Sequence, residues 1–476
     1  MADKPLVLDV DGTFLRTDML LENFWAGMGQ QPVATLKATF ANLSRPAVLK
    51  EKLAAIADIR TDLLPVNEDV AQLARDAVAD GRDVILASAS DQSLVSRLAK
   101  DHGLSDRVFA SNGQTNLKGA RKAGALVDSF GEGGFDYAGN EPVDRAIWDH
   151  ADVAIVVGDP RLGRSVGSSG KQVQALGGGW RMRDLARAIR PHQWVKNALL
   201  FVPMIAAHEF NLPTLLLVVL GIISFSAAAS AIYVVNDLLD LEADRLHVKK
   251  RHRPFASGAV PISVGMATSI GLGIVALLSG AWLGWGFFGI VALYMTLSLS
   301  YSLRLKRLRW IDVATLAGLY TLRVVAGALA SQVDVSGYLL VFIYPVFLSL
   351  GCVKRLTELT LATSDARLPG RGYGRADRQD LLHMAILGIA GALVTFFLYS
   401  FSAHAMGLYP TRWLLWVALV PIALWLIRMV RLGYQGKQDY DPIVFAMKDK
   451  RGIGLILIAL SLMFYAAGLW QKWFGL

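Results

Sequence analysis

The chain has 476 residues, a mean hydropathy of +0.41, a formal net charge of +9 and a single cysteine, Cys352. Such a composition excludes an ordinary soluble multidomain enzyme, and one cysteine excludes an intrachain disulfide framework. It also excludes a nucleic-acid-binding protein, because the surplus Lys and Arg lie beside apolar segments instead of on one soluble face.

Residues 1–158 read as a soluble α/β domain. Its start, Met1-Ala-Asp-Lys-Pro5, has no charged region leading into an apolar one, so no signal peptide is expected. The apolar runs Leu6–Val10, Asp83–Ala87 and Val153–Val157 predict parallel strands buried on both faces. Helical patterns fill the gaps, and residues 18–64 predict a helical insertion after the first strand. Residues 159–184 predict a linker and an interfacial segment: Pro160, Gly163, Ser165–Gly170 and Gly177–Gly179 give a coil reaching on the order of 25 Å. Within it, Arg181–Arg190 predicts a basic amphipathic helix on an anionic membrane surface.

Residues 185–476 predict an all-α, multi-pass membrane bundle. About nine spans are expected, near 195–208, 213–235, 262–283, 285–302, 311–330, 337–355, 381–402, 412–431 and 453–471. The loops after the even-numbered spans carry the cations: Lys249–Arg251, Arg304–Arg309, Lys354–Arg378 and Arg428–Arg451. The positive-inside rule then places the N-terminal domain on the cytoplasmic side of an inner (plasma) membrane.

The run Asn236-Asp237-Leu-Leu-Asp240-Leu-Glu-Ala-Asp244 ends the second expected span. On a continuous helix Asn236, Asp237, Asp240 and Asp244 fall at about 0°, 100°, 40° and 80°, within one arc. Carboxylates crowded beside hydrocarbon repel unless a cation neutralises them, and hard oxygen ligands suit Mg²⁺, whose shell is completed by phosphate oxygens and water. The cations Arg245, His247, Lys250, Arg251 and Arg253 follow at once, as a bound Mg²⁺-diphosphate requires.

With these residues placed, 185–476 resembles the UbiA superfamily of intramembrane prenyltransferases, whose first motif is NDxxDxxxD. Arg190-Pro-His-Gln-Trp-Val-Lys-Asn197 and Asp244-Arg-Leu-His247…Lys250-Arg-His-Arg-Pro254 resemble its decaprenyl-phosphate phosphoribosyltransferase branch. That resemblance implies transfer of 5-phosphoribose from phosphoribosyl diphosphate (PRPP) to a polyprenyl phosphate lipid. It makes Asp237, Asp240 and Asp244 catalytic and, with Asn236, metal-holding. Lys196, the five cations of the Asp loop, Tyr301, Lys306, Arg323, Lys354, Arg355 and Glu358 are the expected substrate-binding set. Arg323 is also a candidate partner of Asp312, and Lys196 a candidate for headgroup contact. Relatives that act on aromatic acceptors carry a second DxxxD after the sixth span; this chain has Lys354-Arg-Leu-Thr-Glu358 there, with Asp365, Asp377 and Asp380 following. More cation and less carboxylate fits a donor with an additional phosphate.

Asp9-Val-Asp11-Gly12-Thr13, directly after a buried strand, resembles motif I of the haloacid dehalogenase (HAD) superfamily. The resemblance implies an α/β phosphatase fold with a helical cap at 18–64, Asp9 as nucleophile and Asp11 as acid/base. Ser88 and either Lys118 or Lys122 are the expected phosphate-binding residues, and Asp9, Asp11, Asn140 and Asp144 the Mg²⁺ ligands. The usual Gly-Asp of the fourth motif is Gly139-Asn140, which lowers the charge on the metal. Two other readings remain: an aromatic-acceptor prenyltransferase using a prenyl diphosphate, and a transporter with a HAD regulatory domain, which would call for paired discontinuous helices. A homo-oligomer stays open.

Overall fold

The computed structural model describes residues 4–168, 171–334, 336–362, 367, 371–438 and 441–475; Ser169-Gly170 and Asp365 lie outside them. The chain forms two compact units, each assembled from two stretches of sequence. The first is Met1–Ile189 with Tyr233–Ile270, and the second is Arg190–Ile232 with Gly271–Leu476. The units divide between Ile189 and Arg190, close to the expected boundary at 185, and again within the helices Leu212–Leu239 and Ile262–Leu283.

In the first unit six strands form one parallel sheet: β1 (Leu6–Asp9), β2 (Val84–Asp91), β3 (Val108–Ser111), β4 (Asp136–Gly139), β5 (Val153–Val157) and β6 (Gln172–Leu176), in the order β3-β2-β1-β4-β5-β6. β1 and β4 are buried along their whole length, which is why β1 reads as an uninterrupted apolar run. The strand order reverses between β1 and β4, and such a reversal opens a crevice at their carboxyl ends. Asp9 ends β1 and Gly139 ends β4, so the motif residues lead into that crevice.

The insertion at 18–64 forms α1 (Met19–Gln30), α2 (Pro32–Asn42) and α3 (Pro46–Ile56), closed by a 3₁₀ turn at Thr61–Leu63. Asp18 caps α1 by accepting from the Leu21 amide, and Pro32 and Pro46 open the next two helices, where a missing N–H costs nothing.

The expected linker is not coil. Asp159 caps a helix at Pro160–Gly167, and β6 pairs with β5 from Val153↔Gln172 to Val157↔Leu176. Its Gly and Ser content concealed an Asp-Pro helix start and a mostly exposed edge strand. The helix Met182–Ala188, expected on a membrane surface, has its apolar side covered by protein: Leu185, Ala188 and Ile189 join Phe24, Trp25, Val234, Leu238, Phe255 and Val260 in one core.

Among the described residues the regular elements of the second unit are all helices. Among the described residues seven helices of the chain are long and apolar enough to cross a membrane: Leu212–Leu239, Ile262–Leu283, Trp285–Leu303, Ile311–Ser331, Gly337–Leu361, Arg375–Tyr399 and Trp413–Tyr434. Two of the nine expected spans are not such helices. Residues 195–208 form a 3₁₀ stretch, Pro191–Leu200, followed by the short helix Phe201–Ala206. This segment presses closely on Ile311–Ser331, where a Cβ on Gly327 would stand 2.2 Å from the Leu200 carbonyl oxygen. The last expected span is a 17-residue helix, Lys450–Ala466, ended by left-handed Gly468. The core of this unit joins Val324, Phe347, Leu350, Leu356, Ala385 and Met429 from four of the long helices.

Candidate active sites

At the carboxyl end of β1 the first motif closes into a bonded cluster. Lys122, in the first turn of the helix Ala120–Phe130, is 3% exposed and donates to Asp9 Oδ1 (2.6 Å), the Ala87 carbonyl (3.2 Å) and the Tyr137 hydroxyl (3.0 Å). Lys118 is exposed and lies 3.5 Å from Glu141, so Lys122 is the lysine that reaches Asp9. Burial alone would lower the Lys122 ammonium, but Asp9 and Asp144 hold it above its usual range.

Asp11 accepts from Ser90 Oγ (2.7 Å), Ser88 Oγ (3.2 Å) and the Met19 amide (2.8 Å). Ser88 is fully buried and bonded to Asp11. Removal from water, then the neighbouring Asp18 and Asp9, push the Asp11 carboxyl up to about 7, a value suited to giving and taking a proton near neutrality.

Thr13 Oγ1 stands between Asp9 Oδ2 (3.3 Å) and Asn140 Oδ1 (3.1 Å), one hydroxyl proton facing two acceptors. That surplus of acceptors fits a Mg²⁺ held by Asp9, Asp11 and Asn140. Asp144 does not fit: it accepts from the Tyr137 hydroxyl (3.1 Å) and the Asn140 and Glu141 amides (3.1 and 3.0 Å), and so holds the turn that presents Asn140. Burial, then Asp9, raises its carboxyl to about 6.

The Asp-rich segment belongs to the same unit. The helix Leu212–Leu239 stops before Asp240 and a short helix restarts at Leu241–Leu246, so the single arc expected of a continuous helix is broken. Asp237 and Asp244, both buried, converge on Arg253 Nη1 at 3.1 and 2.6 Å, and Lys250 lies 4.0 Å from Asp244. Asn236 Oδ1 is buried with no hydrogen-bond partner. Two acids sharing one guanidinium group beside an unpartnered amide oxygen fit a divalent cation. Burial holds the Asp244 carboxyl above the usual range despite Arg253. Among the described residues no three His, Cys, Asp or Glu side chains already form a metal-holding group.

Two of the expected phosphate ligands in this segment have other partners. Arg245 is bonded to Glu22 and to the Ala256 carbonyl. His247 Nδ1 accepts from the Lys249 and Lys250 amides (3.1 and 3.3 Å) and closes a turn. Lys250 and Arg251 are exposed.

Three clusters in the second unit take up the site residues expected there. Arg355, fully buried, donates to both oxygens of Asp312, to Glu358 (2.5 Å) and to the Tyr301 hydroxyl (2.8 Å). Arg371 also reaches Tyr301 (3.0 Å). Arg355 and Glu358, expected to bind substrate, are therefore engaged with each other and with Asp312. Arg323 does not pair with Asp312; it donates to Asn197 (3.1 Å), the Leu319 carbonyl (2.7 Å) and the Tyr294 hydroxyl (3.1 Å), and its guanidinium lies over the Phe225, Tyr294 and Tyr320 rings. In the third cluster Lys196 is ion-paired with Asp441, Tyr320 donates to Asp441 (3.3 Å), and Lys354 is near enough to act on the same carboxylate. Although burial alone raises it, Lys196 and Lys354 bring Asp441 down to about 2. Lys196 is thus buried against an acid rather than extended toward headgroups. Lys306 lies half-buried in the 3₁₀ turn Leu305–Arg307.

Removing Asp312 would leave the Arg355 charge buried without its main counter-ion. Asp312→Ala is expected to cost about 3–5 kcal/mol, visible as a lower midpoint of thermal unfolding in detergent; an unchanged midpoint would show that Glu358 alone suffices.

The UbiA prenyltransferase family model matches residues 198–449, more than half of the chain. The chain belongs to the UbiA prenyltransferase family. It is 33% identical over 472 residues to the uncharacterized protein y4nM of Sinorhizobium fredii, covering 96% of this chain and 90% of that protein. It is 34% identical to the nodulation protein NoeC of Azorhizobium caulinodans, over 58% of this chain and 91% of the relative. To the decaprenyl-phosphate phosphoribosyltransferase of Mycobacterium tuberculosis it is 28% identical, over 56% and 88%. This UbiA-family transferase is a multi-pass membrane protein that also carries an α/β unit with a six-stranded parallel sheet.

Several site residues of the UbiA-family chain were not anticipated from its sequence. Ser90 follows Ser88 at the two-residue spacing that keeps a strand's side chains on one face, a signal that was available. Asp441 precedes Pro442 and caps the helix Pro442–Ala446; the Asp-Pro pair marks the cap, but nothing local marks its pairing with Lys196. Lys50 of α3 donates to the Ala89 carbonyl (2.6 Å) and Asn116 (3.0 Å), bringing a cap lysine to the end of β2, and burial lowers its ammonium.

Proposed function

We propose that this transferase moves 5-phosphoribose from PRPP to a polyprenyl phosphate at the cytoplasmic face of the inner membrane, with Mg²⁺, and that its HAD-like domain then removes the 5-phosphate. The observation that carries the first half is the convergence of Asp237 and Asp244 on one cation beside an unpartnered Asn236 oxygen. Asn236, Asp237, Asp240 and Asp244 would hold the metal, which when bound neutralises the leaving diphosphate and draws off its charge. The exposed Lys250 and Arg251 add cationic charge for the same diphosphate, and Arg253 is the internal counter-ion that the acids use without it. In the second unit, Lys196 and Lys354 around Asp441 are a cationic group of the kind a phosphate needs. The acceptor phosphate is already an anion, so attack on the anomeric carbon needs no strong base. The likeness to decaprenyl-phosphate phosphoribosyltransferase, and Lys354 with the single acid Glu358 where aromatic-acceptor relatives usually carry a second DxxxD, support this donor over a prenyl diphosphate.

In the HAD-like domain, Asp9 attacks phosphorus to form an aspartyl phosphate, and the leaving ribose oxygen takes its proton from Asp11. Water, giving a proton back to Asp11, then releases phosphate. Lys122 balances the charge on Asp9, and Ser88 and Ser90 hold Asp11.

The test is incubation of the purified chain with labelled PRPP, polyprenyl phosphate and Mg²⁺. Label should pass to lipid, and ribose 1-diphosphate lacking the 5-phosphate should compete at least about tenfold less well, the loss of one charge-assisted phosphate contact. Displacement of PRPP by geranylgeranyl diphosphate in the presence of an aromatic acceptor would establish the prenyl donor instead.

A further inference from the structure

A buried ion pair inside the first unit joins segments 223 residues apart. Glu22, in the first turn of α1, accepts from Arg245 at both carboxylate oxygens, Nη2 to Oε1 at 2.5 Å and Nη1 to Oε2 at 3.0 Å, and the two side chains are 4% and 7% exposed. Each partner is held again from behind. Thr17 Oγ1 donates to Glu22 Oε1 at 2.6 Å, and Arg245 Nε donates to the Ala256 carbonyl at 3.1 Å. A fork gripping a carboxylate with both nitrogens fixes direction as well as distance.

The surroundings reinforce the grip. Leu21, Phe24, Trp25 and Met28 of α1 pack in one core with Val234, Leu238, Leu241, Phe255 and Val260, which flank the Asp-rich residues. Gly258 has φ +68°, and a Cβ there would stand 2.6 Å from Arg16 Cβ and 3.1 Å from Pro65 Cγ, so the loop's backbone lies directly against the residues around the cap. Arg245 follows Asp244 in sequence, and Met19, which opens α1, donates its amide to Asp11. The first turn of α1 is therefore bound to the phosphatase carboxylate and to the Asp-rich segment together.

We propose that the HAD-like domain has a second function as the frame of the transferase's Asp-rich segment, with Glu22 as a positioning residue that orients Asp244 through Arg245. This rests on the reading that Asp237, Asp240 and Asp244 receive the metal. Glu22 touches neither substrate; it acts by holding the short helix Leu241–Leu246 in the geometry that the metal-diphosphate finds on arrival, so that binding does not have to order it.

The test uses the full chain in detergent with Glu22→Gln, Glu22→Ala, Arg245→Ala and the Glu22→Ala/Arg245→Ala double variant. Amide hydrogen exchange over residues 241–256 should rise about tenfold in Glu22→Ala and less in Glu22→Gln, with β1 and β4 unchanged. In the transfer assay the Mg²⁺ concentration for half-maximal rate should rise about tenfold, with most of the rate restored at saturating Mg²⁺, and the double variant should lose no more than either single one. If Glu22→Ala does not accumulate, Glu22→Gln carries the same readouts. Exchange that rises equally through the whole sheet, or a Mg²⁺ dependence equal to wild type, overturns the proposal in favour of a pair that merely stabilises the fold. Exchange needs no substrate, so a wild-type chain that fails to label lipid would refute the assigned reaction while exchange still decides the positioning role.

Discussion

Asp237→Asn is expected to slow transfer of labelled phosphoribose to lipid by about 10²–10³-fold, the usual effect of removing a group that stabilises charge developing in a transition state. Asn has the shape of Asp and keeps an acceptor toward Arg253, so the segment should remain packed, and thermal unfolding in detergent should differ little. What is lost is one negative charge from a buried pair that shares Arg253. Excess Mg²⁺ should recover only part of the rate, because the remaining ligands bind the ion more weakly and place it less well. Asp240→Asn should act in the same direction. Wild-type turnover in both variants would mean that neither acid holds the metal, Asp237 serving Arg253 alone as an internal salt bridge.

Asp9→Asn is expected to stop removal of the 5-phosphate, by on the order of 10⁴-fold or more, the effect of deleting a nucleophile. The reaction product should shift from dephosphorylated to phosphorylated lipid, read by mass, while label continues to enter lipid. The substitution also removes the carboxylate that Lys122 pairs with inside a buried site. Asp144, linked to Lys122 through the Tyr137 hydroxyl, remains close by, so the domain should stay folded. Wild type and variant yielding the same phosphorylated lipid in the same amount would remove the domain from this reaction.

What the sequence revealed and what it hid divide along local and distant relations. Asp9-Val-Asp11-Gly12-Thr13 was legible because the strand, the turn and the carboxylates are contiguous. The choice between Lys118 and Lys122 was not, because it depends on where a helix starts: the helix opens at Ala120, which carries Lys122 in to Asp9 and leaves Lys118 outside. The acids at 236–244 were legible as a cluster, but their common arc assumed an unbroken helix, and the chain restarts at Leu241. Hydropathy marked the apolar segment at 195–208 but not that it would be a 3₁₀ stretch followed by a short helix. The pairings of Lys196 with Asp441, Arg355 with Asp312 and Glu22 with Arg245 leave no periodic trace, since each is decided by packing between elements far apart in the chain.

The division of the first unit into Met1–Ile189 and Tyr233–Ile270 bears on how the protein is made. Chains emerge from the ribosome N-terminus first, and domains usually fold as units in that order. Here the sheet can close once β6 is out, but the apolar side of α1, with Trp25 and Phe24, gains its full covering only when residues as far as Ile262 and Val264 have been synthesised. By then Leu212–Leu239, long and apolar enough to cross a membrane, has already been synthesised. The last step of folding of a unit that begins upstream of every such helix therefore waits until that helix has been made. A ribosome stalled, or a gene truncated, between residues 190 and 233 would leave a parallel-sheet domain with an open apolar helix for chaperones and proteases to find.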